Sequence, residues 1–230
     1  MTNINIIPIF NQSAPGVWED FAYICADTMR TNYNYKMDDC EIHDTVNGDV
    51  KKWRRGTHFA FGAYDGDKMI GYIQGDATGR CATIQSLYVL ADYQKQHIGH
   101  RLLQQVERAA TLFAKRTELI ALAKAEPFYR AHGYRSMYSN IYAKALSDAP
   151  RCDCLPVFKC VGSTAKQFIA LNPDFDAAAI NKEHLPAFAY FDVNSRIVGY
   201  SVGEKIVIDP ACGLAKIVRS SLVRNLTKVR

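Results

Sequence analysis

A chain of 230 residues has room for one large domain or two small ones. Its 48% hydrophobic and 22% charged residues are the balance of a folded globular protein, and no apolar run approaches the roughly 20 residues of a membrane-spanning helix. The net charge of +5 is uneven, because residues 151–230 hold 11 Lys/Arg against 7 Asp/Glu and residues 1–150 hold 17 against 16.

"MTNINIIPIF" has no basic n-region and no small-residue cleavage site, so a cytoplasmic location is the expectation. Within it "INIIPIF" suits a first strand. From Pro15 to about Arg30, Val17, Trp18, Phe21, Ile24, Cys25 and Met29 share one helical face. The polar stretch "KMDDCEIHDTVNGDVKKWRRG" is expected to give a loop and a second helix ending at Gly56. "THFAFGAYDGDKMIGYIQGD" holds two β-rich runs around Asp65-Gly66-Asp67, a hairpin signal. "CATIQSLYVL" makes a third strand. Next comes the polar turn "YQKQHIGH", then a helix with Ile98, Leu102, Val106, Ala109, Ala110 and Phe113 in one stripe. "ELIALA" is a strand, "PFYRAHG" a short helix stopped at Gly133, and "YRSMYSNIYAKAL" one closing strand. This order predicts an α/β domain with helices on both faces of a mixed sheet. "DAPRCDCLP", with two prolines, marks the domain boundary.

Seven cysteines, odd in number and scattered, argue against a disulfide framework. Cys152, Cys154 and Cys160 lie close together, but no C-x-x-C knuckle or His partner follows at metal-ligand spacing, so reduced cysteines packing as small hydrophobes are expected and a metal is not. The tail "GLAKIVRSSLVRNLTKVR" has no acid, and Leu214, Ile217, Val218, Leu222, Leu226 and Val229 recur at helical spacing. A docked amphipathic helix with a solvated basic face is favoured over nucleic-acid or membrane contact.

A strand, a polar turn and a helix in succession place "QKQHIGHR" at a helix N-terminus, where unpaired amides and the helix dipole favour a phosphate, with Lys95, Arg101 and His100 as added charge. About thirty residues on stands "AEPFYRAHGYR". Together these two segments resemble the Gcn5-related N-acetyltransferase (GNAT) superfamily. Gln94-x-x-His97-x-Gly99 is similar to its acetyl-CoA loop, and Phe128, Tyr129, Gly133 and Tyr134 meet its later aromatic signature in full. The resemblance covers residues 3–146 and implies an α+β fold with a mixed, mostly antiparallel sheet.

It further implies acetyl-CoA as cosubstrate, held by Gln94, Lys95, Gln96, His97, Ile98, Gly99 and His100 at the pyrophosphate and by Leu87, Tyr88 and Val89 along the pantetheine arm. An amide near Val89 would stabilise the oxyanion of a tetrahedral intermediate. Tyr129 matches the family tyrosine that protonates or hydrogen-bonds the departing thiolate. His97 stands where the family has a glycine. It must avoid a positive φ or carry a modest strain, with slightly weaker CoA binding as the expectation. Gln85 stands where many members have a basic Glu, and a glutamine cannot accept a proton in turnover. A water chain, an amine arriving neutral, or Glu126 beside Tyr129 would take that part. Tyr33, Tyr35, Asp38, Asp39, Glu41 and Asp44 form an acidic, aromatic cluster that would suit a cationic acceptor.

Residues 153–230 echo the first domain, residues 1–148. Asp65 and Gly71-Tyr72 recur as Asp192 and Gly199-Tyr200, "LPVFKCV" and "STAKQFIALN" stand for the first strand and helix, and "KIVIDPACGLAKIVRSSLV" for strand, turn and helix. No second Phe-Tyr signature follows. The expectation is a degenerate partial GNAT unit that packs on the first domain, shapes the acceptor site or makes a homodimer interface; the alternative is an unrelated small α/β appendage. Function is then expected to be acetyl transfer to a primary amine, on a small molecule or a peptide, by direct attack in a ternary complex. Its rival is a non-catalytic CoA-binding protein.

Overall fold

The apolar runs of the first domain build one sheet. The computed structural model describes residues 4–10, 16–54, 58–146, 153–183, 185–192 and 194–209. Strands β1 (Asn5–Ile9), β2 (His58–Asp65), β3 (Lys68–Thr78) and β4 (Cys81–Val89) pair antiparallel in that order. β3 is buried almost without interruption from Met69 to Ala77 because helices cover both of its faces. Helix α1 (Val17–Tyr33) lays Phe21 flat on Tyr72, with ring centroids 3.9 Å apart. On the other face, α3 (Ile98–Ala110) buries Ile98, Leu102, Leu103, Val106, Ala109 and Ala110, the stripe that its 3.6-residue period dictates. Helix α2 (Asp39–Arg54) lies between α1 and β2 in the chain and packs on α1.

Strand β5 (Arg116–Ile120) runs parallel to β4, the single parallel pairing among the described residues of the sheet. After the short helix α4 (Glu126–Ala131), the segment expected to be one closing strand is two: β6 (Arg135–Tyr138) and β7 (Ile141–Ala145), joined through Ser139 at φ 48°. β7 inserts beside β5 and leaves β6 at the edge, giving the order β1-β2-β3-β4-β5-β7-β6. Neither Gly nor Pro marks this turn, which is why periodicity alone runs the two strands together.

Beyond Asp153 a second sheet begins, with β8 (Asp153–Pro156), β9 (Ala187–Phe191), β10 (Ile197–Val202) and β11 (Lys205–Ile208) in the order β11-β10-β9-β8, antiparallel throughout. Helices α5 (Gly162–Leu171) and α6 (Ala178–Asn181) fall between β8 and β9. This is the strand–helix–helix–three-strand order of β1 to β4. Details repeat as well. Phe168 of α5 stacks on Tyr200 of β10 at 4.3 Å, as Phe21 does on Tyr72. A Cβ on Gly71 would lie 2.8 Å from the Tyr88 carbonyl, and one on Gly199 would lie 2.8 Å from that of Val207. The two units share one core: Phe158 packs against Phe10, Phe59 and Phe61, and the Thr164 hydroxyl donates to the Leu112 carbonyl at 2.9 Å. The expected C-terminal helix lies outside the described residues. Of the clustered cysteines, Cys160 is buried, with burial pushing its thiol up to about 12.

Candidate active site

β4 and β5 pair from Cys81 to Ile84, and there the ladder ends. β4 runs on to Val89, so the β5-facing edge of Leu87–Val89 has no strand partner among the described residues. A bulge at Gln85 starts the divergence, because Gly75 pairs with Ile84 and Gln74 with Ser86. Two adjoining cavities fill the gap. One, of about 530 Å³, lies between α1, β4 and α4 and is lined by Thr28, Tyr33, Leu87, Tyr88, Lys124 and Tyr129. The other, of about 510 Å³, lies at the head of α3 and is lined by Lys95, His97, Ile98, His100 and His132. Val89, Gln94, Gly99 and Phe128 belong to both walls, so the cleft is continuous.

The loop that heads α3 is held in shape by its own backbone and side chains. Lys95 and His97 both take the left-handed conformation at φ 60°, His97 as the N-cap of α3. Thus the strained alternative is the one adopted, at a cost of roughly 1–2 kcal/mol for a residue with a Cβ. Gln94 Nε2 donates to the Val89 carbonyl at 3.0 Å, tying the loop to the end of β4, and Thr28 Oγ1 donates to the same carbonyl at 3.4 Å. Gln96 lines neither cavity; its amide donates to the Asp92 carbonyl. Arg101 turns away, donating to the Ile4 carbonyl at 2.8 Å. Gly99 needs no positive φ, and a Cβ there would meet Phe128 at an ordinary 3.6 Å.

The aromatic signature has a structural explanation. Gly133 at φ 84° ends α4 and turns the chain so that the Tyr134 amide donates back to the Tyr129 carbonyl. Tyr134 then packs edge-on under Tyr129, with its hydroxyl against Thr117 Oγ1 at 2.8 Å. Tyr129 is held from below, 8% exposed, and its own hydroxyl makes no hydrogen bond to the described residues. Burial, with a smaller contribution from Tyr33, pushes this phenol up to about 12.

The other sequence candidates have definite places. Glu126 accepts from the Tyr142 hydroxyl at 2.7 Å and faces Arg130 at 3.7 Å, and it is not on the wall of either cavity. Gln85 donates to the Asp76 carboxylate on the neighbouring strand. Asp38 and Glu41 form a reciprocal capping box, each side chain accepting the other's amide at 2.8 and 2.9 Å, and Tyr35 also donates to Glu41. Those two acids cap α2, while Tyr33 alone of the acidic, aromatic cluster lines the cleft. Among the described residues Lys124 is the one charged side chain on the wall beside Tyr129; it donates to the Asn32 carbonyl at 2.6 Å. His132, which the sequence reading did not select, reaches the loop through α4: its Nε2 lies 2.6 Å from Nδ1 of His100.

Residues 41–150 match the family model described as an acetyltransferase (GNAT) domain. No curated protein matches the chain by sequence. Among solved structures, the PaiA N-acetyltransferase of Thermoplasma acidophilum in complex with coenzyme A is similar at 16% identity and a TM-score of 0.52, over 62% of this chain and 99% of that one. A GNAT-family acetyltransferase of Staphylococcus aureus Mu50 is similar at 18% identity and 0.52, over 63% of this chain and 99% of that one. The resemblance read from the two motifs holds, and the first domain of this chain has the GNAT fold. Among the described residues no helix is long and apolar enough to cross a membrane.

Proposed function

We propose that the protein transfers an acetyl group from acetyl-CoA to a primary amine, by direct attack of the amine on the thioester within a ternary complex. The observation that carries this reading is the Tyr129 hydroxyl, its pKa pushed up by burial and without a hydrogen-bond partner among the described residues, on the wall of a cleft that leads from the loop at α3 past the open edge of β4.

In this reading the amides of residues 94–100 and the dipole of α3 hold the pyrophosphate, with Lys95 adding charge. Pantetheine lies along Leu87–Val89 and completes the ladder that β5 leaves at Ile84. An amide near Val89 stabilises the oxyanion formed by attack. When the tetrahedral intermediate collapses, the C–S bond breaks and the thiolate leaves toward Tyr129. A phenol near 12 is a weaker acid than an ordinary thiol, whose pKa is about 8.5, so Tyr129 stabilises the sulfur chiefly by donating a hydrogen bond. The amine attacks in its neutral form, and the proton that its nitrogen sheds as the amide forms is assigned to solvent. Glu126, the carboxylate nearest Tyr129 in sequence, is engaged by Tyr142 and Arg130.

The second unit repeats the order of the first without a Phe-Tyr signature, and we infer that it is a degenerate partial GNAT unit that buttresses α3 and does not catalyse. The test is calorimetry with acetyl-CoA, followed by an amine screen. Wild type is expected to bind and Gly99→Glu to lose binding, since the fold leaves room at Gly99 and the carboxylate would enter the cofactor's wall. Tyr129→Phe should keep its CoA affinity and lose about 10–100-fold in kcat, within the usual range for one acid–base group or less. Binding without turnover of any amine would favour the non-catalytic rival.

A further inference from the structure

The cavity at the head of α3 contains a histidine pair that the loop amides do not explain. His132 Nδ1 lies 2.7 Å from the Phe128 carbonyl, and a carbonyl can only accept, so Nδ1 carries the proton. Two lone pairs cannot face each other at 2.6 Å, so one proton lies between His132 Nε2 and His100 Nδ1. With that proton on His100 Nδ1, the ring's Nε2 is bare, and it has no hydrogen-bond partner among the described residues. His100 lines the cavity, as do His97, Lys95 and His132. Phe128 packs on the His132 ring at 4.3 Å and holds it in place.

A bare imidazole nitrogen repels a phosphate oxygen, lone pair against lone pair, whereas an imidazolium N–H donates to it with charge assistance. Resting on the acetyl-CoA reading above, we propose that His100 and His132 form a proton-linked anion site: the His100 ring takes up one proton at Nε2 as the cofactor's phosphates enter, and His132 positions that ring. His100 is the contact residue and His132 the positioning residue.

The groups around His100 agree with a ring that is neutral when the cavity holds no anion. Burial disfavours its charge first, a proton on His132 at the end of α4 or on His97 in the loop would do so too, and Lys144 from β7 adds to it, while Glu107 on α3 opposes them. The net effect lowers its pKa from the usual histidine value. An arriving phosphate reverses the balance by placing negative charge against the ring. Its pKa rises on binding, so binding takes up protons and affinity increases as pH falls. Linkage limits the gain from one group to about tenfold per pH unit.

The experiment is calorimetric titration of the full chain with CoA from pH 6 to 8.5, in buffers of different ionisation enthalpy, which reads proton uptake directly. Wild type should take up a substantial fraction of a proton near pH 7 and bind several-fold tighter at pH 6.5 than at 8. His100→Gln should still bind through the loop amides but retain only the pH slope of the cofactor's own phosphates. His132→Leu should flatten the slope too, whereas His132→Gln, whose Oε1 can accept from His100 Nδ1, should restore part of it. A His100→Gln protein with the proton uptake and slope of wild type overturns the proposal and leaves cofactor binding intact. Absence of CoA binding by wild type overturns both.

Discussion

Glu126 and His97 show how a side chain's partners decide its part. Glu126 has the position in sequence of a helper to Tyr129, yet its Oε2 accepts from Tyr142, a residue that β7 brings beside α4. Glu126→Gln is therefore expected to change kcat by less than about threefold, whereas loss of a true general base typically costs 10²–10⁴. Steady-state rates against pH would separate the two, since a solvent-deprotonated amine should give a rate that climbs with the amine's own ionisation. For His97 the sequence suggests weaker cofactor binding. The loop has φ 60° at His97, so the folded chain carries the strain and stability bears the cost. His97→Gly should leave the CoA Kd within about twofold and raise stability by up to about 1 kcal/mol, a Tm gain of roughly 2–4 °C at this size. A large change in Kd with no change in Tm would refute this.

At the scale of elements, the gap between β4 and β5 depends on how β3 and β4 meet. A Cβ on Gly75 would stand 2.1 Å from the Thr83 carbonyl and 2.6 Å from Phe59, just where the Gln85 bulge begins. Gly75→Ala must push these strands apart, and a loss of about 2–3 kcal/mol in urea denaturation is expected. An unchanged midpoint would mean that the strands are looser than they look. These elements were legible in different degrees. The hairpin at Asp65–Asp67, the stripe of α3 and the Gly133 stop are local signals, and each appears where periodicity and turn chemistry put it. The split of β6 from β7 was not legible, because Ser139 adopts a positive φ that nothing in its neighbourhood announces. Asp38-x-x-Glu41 has the spacing of a capping box, and the same two acids also suit a cationic acceptor, so charge alone does not tell the two parts apart. The nearness of His132 to His100 belongs to the packing of α4 on α3, which no single-segment pattern carries.

The whole molecule is held by a core that ignores the boundary between its two sheets. Phe158 is 7% exposed and packs on Phe10 and Phe61 at 5.3 and 5.4 Å between ring centroids. Phe158→Ala should destabilise the entire chain by about 3–5 kcal/mol. Denaturation followed by two probes, one in each unit, should show a single coincident transition. Two separate transitions would mean that the units are independent and the shared core is a loose contact.

That shared core also orders events on the ribosome. Phe10, in the residue that follows β1, is among the first to emerge, and Phe158, which stacks on it, comes after every strand of the first sheet has been made. Until then Phe10, Phe59 and Phe61 lack one of their aromatic neighbours, and a nascent chain in that state is the kind that chaperones bind. A transcript cut short after β7 would encode both cavities of the cleft and still leave a bare aromatic seat. The second unit would then act as a licence for the first to leave the ribosome folded.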